Sequence, residues 1–257
     1  MAYRYLFEQM VRRELRQKYK GSALGVVWYL INPLVLMGAY YFMFGVVFKL
    51  AGPDQPEQYP LFLLVGLVVW IFFSQSLLSA APSLLDHGAL IRKARFPRET
   101  IPASVVTVQL VTFVVLLALL APITIAIRGS LDVALLLLPL LLACLFAFVL
   151  GLALAVSALH AYFRDVAPIL SAALLPWFFM SPIFFEPEAV TSKETARFVL
   201  EWVNPVAPFI GAVRDVVYGG VVPEVSDLLY VLIASALALL GGRALFRRMQ
   251  GELAVVV

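Results

Sequence analysis

Few side chains in this sequence have reactive chemistry, and their spacing excludes more than it supports. A single cysteine, Cys144, lies in an apolar stretch, so no disulfide or thiolate metal site can form within one chain, and it reads as a packed small hydrophobe. His87 and His160 fall in different connections, with no HExxH motif or carboxylate–histidine cluster beside them, and read as surface polar residues. No GxxxxGKS/T phosphate loop occurs, because Gly21-Ser22-Ala23-Leu24-Gly25 does not end in lysine. GxSxG and paired catalytic carboxylates are also missing, so an enzymatic reading has no residues to carry it. What remains is aromatic rings with mild polar groups, and clusters of arginine and lysine.

The elements that hold these residues are apolar. Hydrophobic residues make up 63% of the chain and charged residues 14%, with a mean hydropathy of +0.96, which excludes a water-soluble core as the main structure. Six uncharged runs are predicted to span a membrane, at 24–48, 60–82, 101–127, 133–159, 166–185 and 228–246. All belong to one transmembrane domain covering 1–257, with no internal repeat. No ionisable residue falls in the middle of a run, so the proton- or ion-binding group that coupled carriers use is missing, and either energy comes from elsewhere or the protein is passive. Before the first run, Tyr3, Leu6, Phe7, Met10, Val11, Leu15 and Tyr19 recur at helical spacing between cations, predicting an amphipathic helix within 1–22 that lies in the membrane interface.

Fourteen of the nineteen Lys and Arg residues fall on one side of a six-span topology, if both termini share that side, and five on the other. The positive-inside rule therefore places both termini in the cytoplasm. Two connections exceed a tight turn. Residues 83–100 are basic and cytoplasmic, and are predicted to hold a short helix, stopped by Phe96-Pro97, that docks a soluble partner. Residues 186–227 are extracytoplasmic and half apolar, which predicts two short re-entrant helices between spans five and six.

The spans contain Trp28, Tyr29, Tyr40, Trp70, Trp177 and Phe178, with Asn32, Ser74, Gln75 and Ser181 among the few polar groups. Rings with scattered hydroxyls and amides suit a sugar chain, which stacks on π-faces and exchanges hydrogen bonds. They equally suit interface belts and helix–helix hydrogen bonds.

Several segments, in order, carry a family resemblance: Arg13-Glu14-Leu15-Arg16-Gln17-Lys18-Tyr19-Lys20-Gly21, Ile31-Asn32-Pro33, Leu90-Ile91-Arg92-Lys93, Phe96-Pro97-Arg98, Phe163-Arg164-Asp165, Ser181-Pro182-Ile183-Phe184-Phe185, Asn204-Pro205 and Gly219-Gly220. Together they resemble the ABC type-2 permeases that export polysaccharides, the membrane subunits of O-antigen, teichoic acid and capsule exporters. The resemblance implies a homodimer in the bacterial inner membrane, paired with two copies of a separate ABC ATPase that binds the ATP and magnesium. It implies export of a polyprenyl-diphosphate-linked polysaccharide, with no cofactor on this chain and membrane lipid, not nucleic acid, around it. Leu90, Ile91, Arg92, Lys93 and Phe96 become the ATPase-coupling element, and 186–227 the gate. Arg12, Arg13, Arg16, Lys18 and Lys20 stand where a lipid diphosphate would meet cations, with arginine suited to phosphate by its fork. The kink expected at Asn32-Pro33 and the short fifth span mark Tyr29, Asn32, Tyr40, Trp177, Phe178, Ser181 and Phe184 as the candidate substrate pathway. The alternatives are a type-2 permease for a drug or lipid and, in a different class, a passive channel or a membrane enzyme.

The topology has a direct test. Asp54→Cys and Ser192→Cys are expected to react with an impermeant thiol reagent added to cells, and Gly251→Cys to stay unlabelled. Labelling of the last from outside would overturn a cytoplasmic C-terminus.

Overall fold

The computed structural model describes residues 2–18, 25–47, 58–93, 96–130, 132–186 and 194–251, and every regular element among them is helical. The first is α1, Ala2–Lys18, whose Leu6 and Met10 turn inward while Arg12, Arg13 and Arg16 stay exposed. Next come α2, Trp28–Tyr40, continued by a π-helical stretch Tyr41–Val47, and α3, Tyr59–Ala80. The connection after α3 folds into α4, Ser83–Asp86, and α5, Gly88–Lys93. Helix α6 runs Thr100–Arg128, and α7, Leu138–Tyr162, follows a 3-10 turn at Val133–Leu137. Helix α8 covers Val166–Phe179. The next connection holds α9, Glu194–Phe198, extended by a π-helical Val199–Val203, and α10, Ala207–Arg214, extended likewise by Asp215–Gly219. The last helix is α11, Val225–Met249.

Four helices are long and apolar enough to cross a membrane: α3 with 22 residues, α6 with 29, Val133–Tyr162 with 30, and α11 with 25. At a rise of ~1.5 Å per residue even the shortest reaches ~33 Å, past the ~30 Å hydrocarbon layer. The other two expected spans are helical over shorter lengths, Ile31–Val47 and Val166–Phe179. The run read as span five, 166–185, stops being α-helical at Phe179. Pro176 lies within its last turn, and beyond it the chain turns, with the Met180 amide donating to Pro176 and the Ile183 amide to Ser181. Pro33 lies inside α2, where a kink is expected, and the helix continues through it to Tyr40.

Helix α3 is the hub. All nine residues from Phe62 to Trp70 are buried, against α2, α6, α7, α8 and α10. The closest crossing is α7 on α11, where small side chains let the backbones touch. A Cβ on Gly242 would overlap the carbonyl of Gly151, and one on Gly151 would overlap the backbone at Ala238. The Ser235 hydroxyl crosses the same seam to the Cys144 carbonyl, 2.8 Å away. With no water to expel between helices in lipid, such close packing and cross-helix bonds supply the attraction. Val111, Val115, Leu119 and Ile123 on α6, and Leu229, Ile233, Leu237 and Leu240 on α11, form exposed apolar faces. Hydrocarbon solvates such faces and water does not.

A second, smaller core gathers Met10 of α1, Leu84 and Ile91 of the α4–α5 connection, Ile101, Leu154, Ala158 and Phe246. It joins α1 to the ends of α7 and α11 and to the start of α6. Both histidines depart from their surface reading here: His160 is buried, and His87 Nε2 lies 3.3 Å from the Glu14 carboxylate.

The α7–α11 crossing is expected to fail under one added side chain. Gly242→Val should destabilise the purified protein by about 3 kcal/mol through overpacking. Gly241→Val adds the same atoms where nothing lies within 4 Å and should be near neutral. Equal thermal midpoints for the two variants would show that the crossing does not hold the helices.

Candidate functional site

An aromatic groove of about 240 Å³ opens between α2, α3 and α8, lined in part by Leu36, Tyr40, Trp70, Ile71, Gln75, Leu174 and Phe178. Its rings touch. Tyr40 lies 5.3 Å from Phe178 and 5.1 Å from Phe184, and Trp70 lies 5.6 Å from Phe178, all tilted or edge-on. Such arrangements are the favoured ones for aromatic pairs. The Ser74 hydroxyl is spent on the Trp70 carbonyl at 2.9 Å, whereas Gln75 is exposed at the groove. The wall therefore offers π-faces, a phenol and an amide. That set can stack on a ring and exchange hydrogen bonds, but holds no ionised group.

The expected pathway residues divide. Tyr40 and Phe178 line the groove, and Phe184 packs against both. Trp177 and Ser181 instead face the 194–219 segment through Asn204. The Trp177 Nε1–H donates to Asn204 Oδ1 at 2.8 Å, and Asn204 Nδ2 donates to Ser181 Oγ at 3.0 Å. The Val206 amide also donates to Asn204 Oδ1, so this one amide ties α8 to the segment leading into α10. Asn32 is exposed on α2, apart from the rings, and the Tyr29 side chain lies outside the described residues.

Below the bundle the coupling candidates divide too. Ile91 is buried in the smaller core with Leu90 and Phe96 packed against it, while Arg92 and Lys93 are exposed. The apolar members hold the α4–α5 connection to its own chain, and the basic pair faces outward. Of the five candidate diphosphate cations before α2, Arg12, Arg13 and Arg16 are exposed, the Lys18 side chain is not described, and Lys20 lies outside the described residues. Nearby, Glu99 accepts from Arg247 at 2.9 Å and from Arg243 at 3.1 Å, and Tyr162 donates to the Met249 carbonyl at 2.6 Å.

At the opposite end the structure builds a feature that sequence reasoning missed. Arg214, at the end of α10, is only 7% exposed. It donates to the carbonyls of Pro182 at 2.9 Å and Ile183 at 3.2 Å, and its guanidinium carbon sits 3.6 Å from the centre of the Phe62 ring. A Cβ at residue 66 would collide with the guanidinium, so any larger residue there would displace Arg214. Burial pulls the Arg214 pKa down to about 10, opposed by Glu186, Asp215, Tyr59 and Tyr218, and the group stays charged at neutral pH. Its neighbour Asp215 is pushed up to about 6, first by burial and then by Asp227, with Glu186 and Glu224 adding and Arg214 opposing.

The family described as ABC-2 type transporter matches residues 5–218. Among curated proteins, an O-antigen export system permease protein of Myxococcus xanthus is 31% identical over 252 residues, covering 98% of this chain and 95% of its own length. One from Klebsiella pneumoniae is 29% identical over 98% of this chain and 96% of its own. The polysialic acid transport protein of Escherichia coli is 26% identical, covering 93% and 92%.

Asp215 makes the segment pH-sensitive. A carboxyl with a raised folded pKa contributes stability that is full below its ordinary value of 3.8 and is lost as pH rises through about 6. Amide exchange of residues 207–219, corrected for intrinsic rates, is expected to be slower at pH 5 than at pH 7.5. Asp215→Asn should bring the two into line at the slower level. Wild-type exchange that is indifferent to pH would remove Asp215 from this role.

Proposed function

We propose that this chain, which belongs to the ABC-2 type transporter family, is the permease subunit of an ATP-driven polysaccharide exporter. The observation that carries this reading is the uncharged aromatic groove between α2, α3 and α8, in a chain similar along nearly its whole length to O-antigen export permeases. A moving glycan needs contacts that form and release without a charge being desolvated. Ring faces, a phenol and an amide supply them. The cargo on this reading is a polysaccharide linked to a polyprenyl diphosphate. Its headgroup would meet the exposed Arg12, Arg13 and Arg16 on α1.

The assembly is a homodimer with two copies of a separate ATPase chain, in which ATP and magnesium bind. Exposed Arg92 and Lys93, on a connection anchored by Leu90, Ile91 and Phe96, present the docking surface. Both termini face the cytoplasm, α2 with its π-helical continuation and α8 with the turn that follows it complete six passes, and α9 and α10 form the extracytoplasmic gate.

The groove has a test of its own. Tyr40→Ala combined with Gln75→Ala is expected to lower surface polysaccharide at least about fivefold. Chain level in the membrane and copurification of the ATPase should be unchanged. Export at the parental level with both residues gone would show that cargo does not pass this surface.

A further inference from the structure

A second cavity, of about 410 Å³, lies at the gate end and shares no lining residue with the aromatic groove. It falls within the ~300–1,000 Å³ range of small-ligand sites. Its wall is assembled from separate stretches of chain: Glu186 after α8, Trp202 before α10, Arg214 and Asp215 at the end of α10, and Glu224 and Asp227 at the start of α11. Among the described residues no three acids stand close enough to hold a metal ion, so these carboxylates are spread around a space and not gathered at a point.

Two further observations define what would fill that space. Arg214 forms part of the wall and is more than nine-tenths buried, and its Nε–H has no acceptor among the described residues. A buried donor without a partner costs ~1–3 kcal/mol, which a ligand oxygen recovers. Trp202 is half-buried, with Tyr230 edge-on to it at 5.7 Å and its carbonyl bonded by the Tyr230 hydroxyl at 3.1 Å, so the indole is held in place at the cavity. The ligand must therefore donate to spaced carboxylates, accept from a guanidinium N–H and lay an apolar face on a ring. A simple anion is repelled by the acids. A polyamine has donors but offers Arg214 no acceptor. A pyranose meets all three demands, since each hydroxyl both donates and accepts and the ring carries a C–H face.

We propose that this cavity is a sugar-binding subsite, which holds one or two neutral or amino-bearing sugar residues between Trp202, Arg214 and the surrounding carboxylates. Its assignment to the exported chain rests on the export reading above, whereas the sugar chemistry does not. A subsite at the gate end would hold the emerging glycan and disfavour its return.

The test is saturation-transfer NMR on the full chain in lipid nanodiscs. One probe is short oligosaccharides cut from the host's delipidated surface polysaccharide, and the other is the monosaccharides of its complete hydrolysate. Transfer to sugar ring protons is expected, and should fall at least about fivefold in Trp202→Ala and in the near-isosteric Asp227→Asn, while Leu119→Ala, on the exposed face of α6, leaves it in place. Thermal midpoints of the variants identify any that misfold, and the exposed Glu224→Gln then serves in their stead. Transfer with the oligosaccharides alone identifies the exported chain as the source, and transfer with monosaccharides alone identifies a free sugar. No transfer, transfer that survives the cavity variants, or displacement of the sugar signal by spermidine at equal concentration would overturn the subsite. Loss in Tyr40→Ala alone sinks the subsite and leaves the export reading standing. Loss in Trp202→Ala alongside normal surface polysaccharide in cells deleted for this chain does the reverse.

Discussion

Desolvating an arginine costs several kcal/mol, so a buried guanidinium exists only where its surroundings are organised around it. Arg214 meets that condition with groups drawn from three places. Helix α3 supplies the Phe62 ring beneath it and the space at Gly66, the turn after α8 supplies two carbonyls, and α10 supplies the arginine. The carbonyls belong to Pro182 and Ile183, just beyond the end of α8, where a chain leaving a helix has acceptors without intrahelical partners. Because α8 ends at Phe179, the turn beyond it aims both carbonyls at the guanidinium. The shortness of α8 and the burial of Arg214 are one feature seen from two sides.

From that anchor the placement of the groove follows. The turn fixed by Arg214 carries Phe184, whose carbonyl also accepts from the Tyr59 hydroxyl at 2.8 Å, and Phe184 sets the rings of Tyr40 and Phe178. One turn earlier, Asn204 fastens Trp177 and Ser181 to the strand of chain entering α10. Both arginine and asparagine couple α8 to the 194–219 segment with hydrogen bonds, which keep their geometry better than apolar contact alone. Movement of α10 therefore reaches the aromatic groove through α8. The cavity behind α10 and the groove before it share that link although they share no wall.

Much of this was legible in the sequence. Four helices, α3, α6, α7 and α11, follow from uncharged runs longer than the hydrocarbon layer, and α1 from its spacing of apolar residues between cations. Hydropathy overstated α8 because it measures how far a run stays apolar, whereas the turn after Pro176 decides how far it stays helical. Tyr40 and Phe178 were found from the same two runs. The bonds of Trp177 and Ser181 to Asn204 were not legible, because that partner stands more than twenty residues away in the chain. The enclosure of Arg214 was not legible, since nothing near it in sequence shows that residues 62, 66, 182 and 183 surround it. Leu90, Ile91 and Phe96 were read as a surface for a partner, yet they serve the inner core, because an amphipathic segment does not show in sequence which neighbour covers its apolar side.

The distribution of burial divides the helices by task. Helices α3, α6, α7 and α11 are joined by close backbone approach, by the shared apolar core and by the charge cluster of Glu99 with Arg243 and Arg247. Helix α8 buries only Leu174 and Phe178 of its fourteen residues, and α2 is exposed along most of its length. In lipid, helix association rests on packing and hydrogen bonds and not on expulsion of water, so a helix with few buried side chains loses little when it shifts. These two sparsely buried helices are the two that line the groove against α3. On the export reading proposed above, a path for a bulky cargo would open where the wall is least costly to move, with Arg214 and Asn204 restoring the resting geometry. The uncharged groove, the loosely held helices and the polar anchors at their ends thus act as one mechanism, with a fixed frame on one side and a hinged wall on the other.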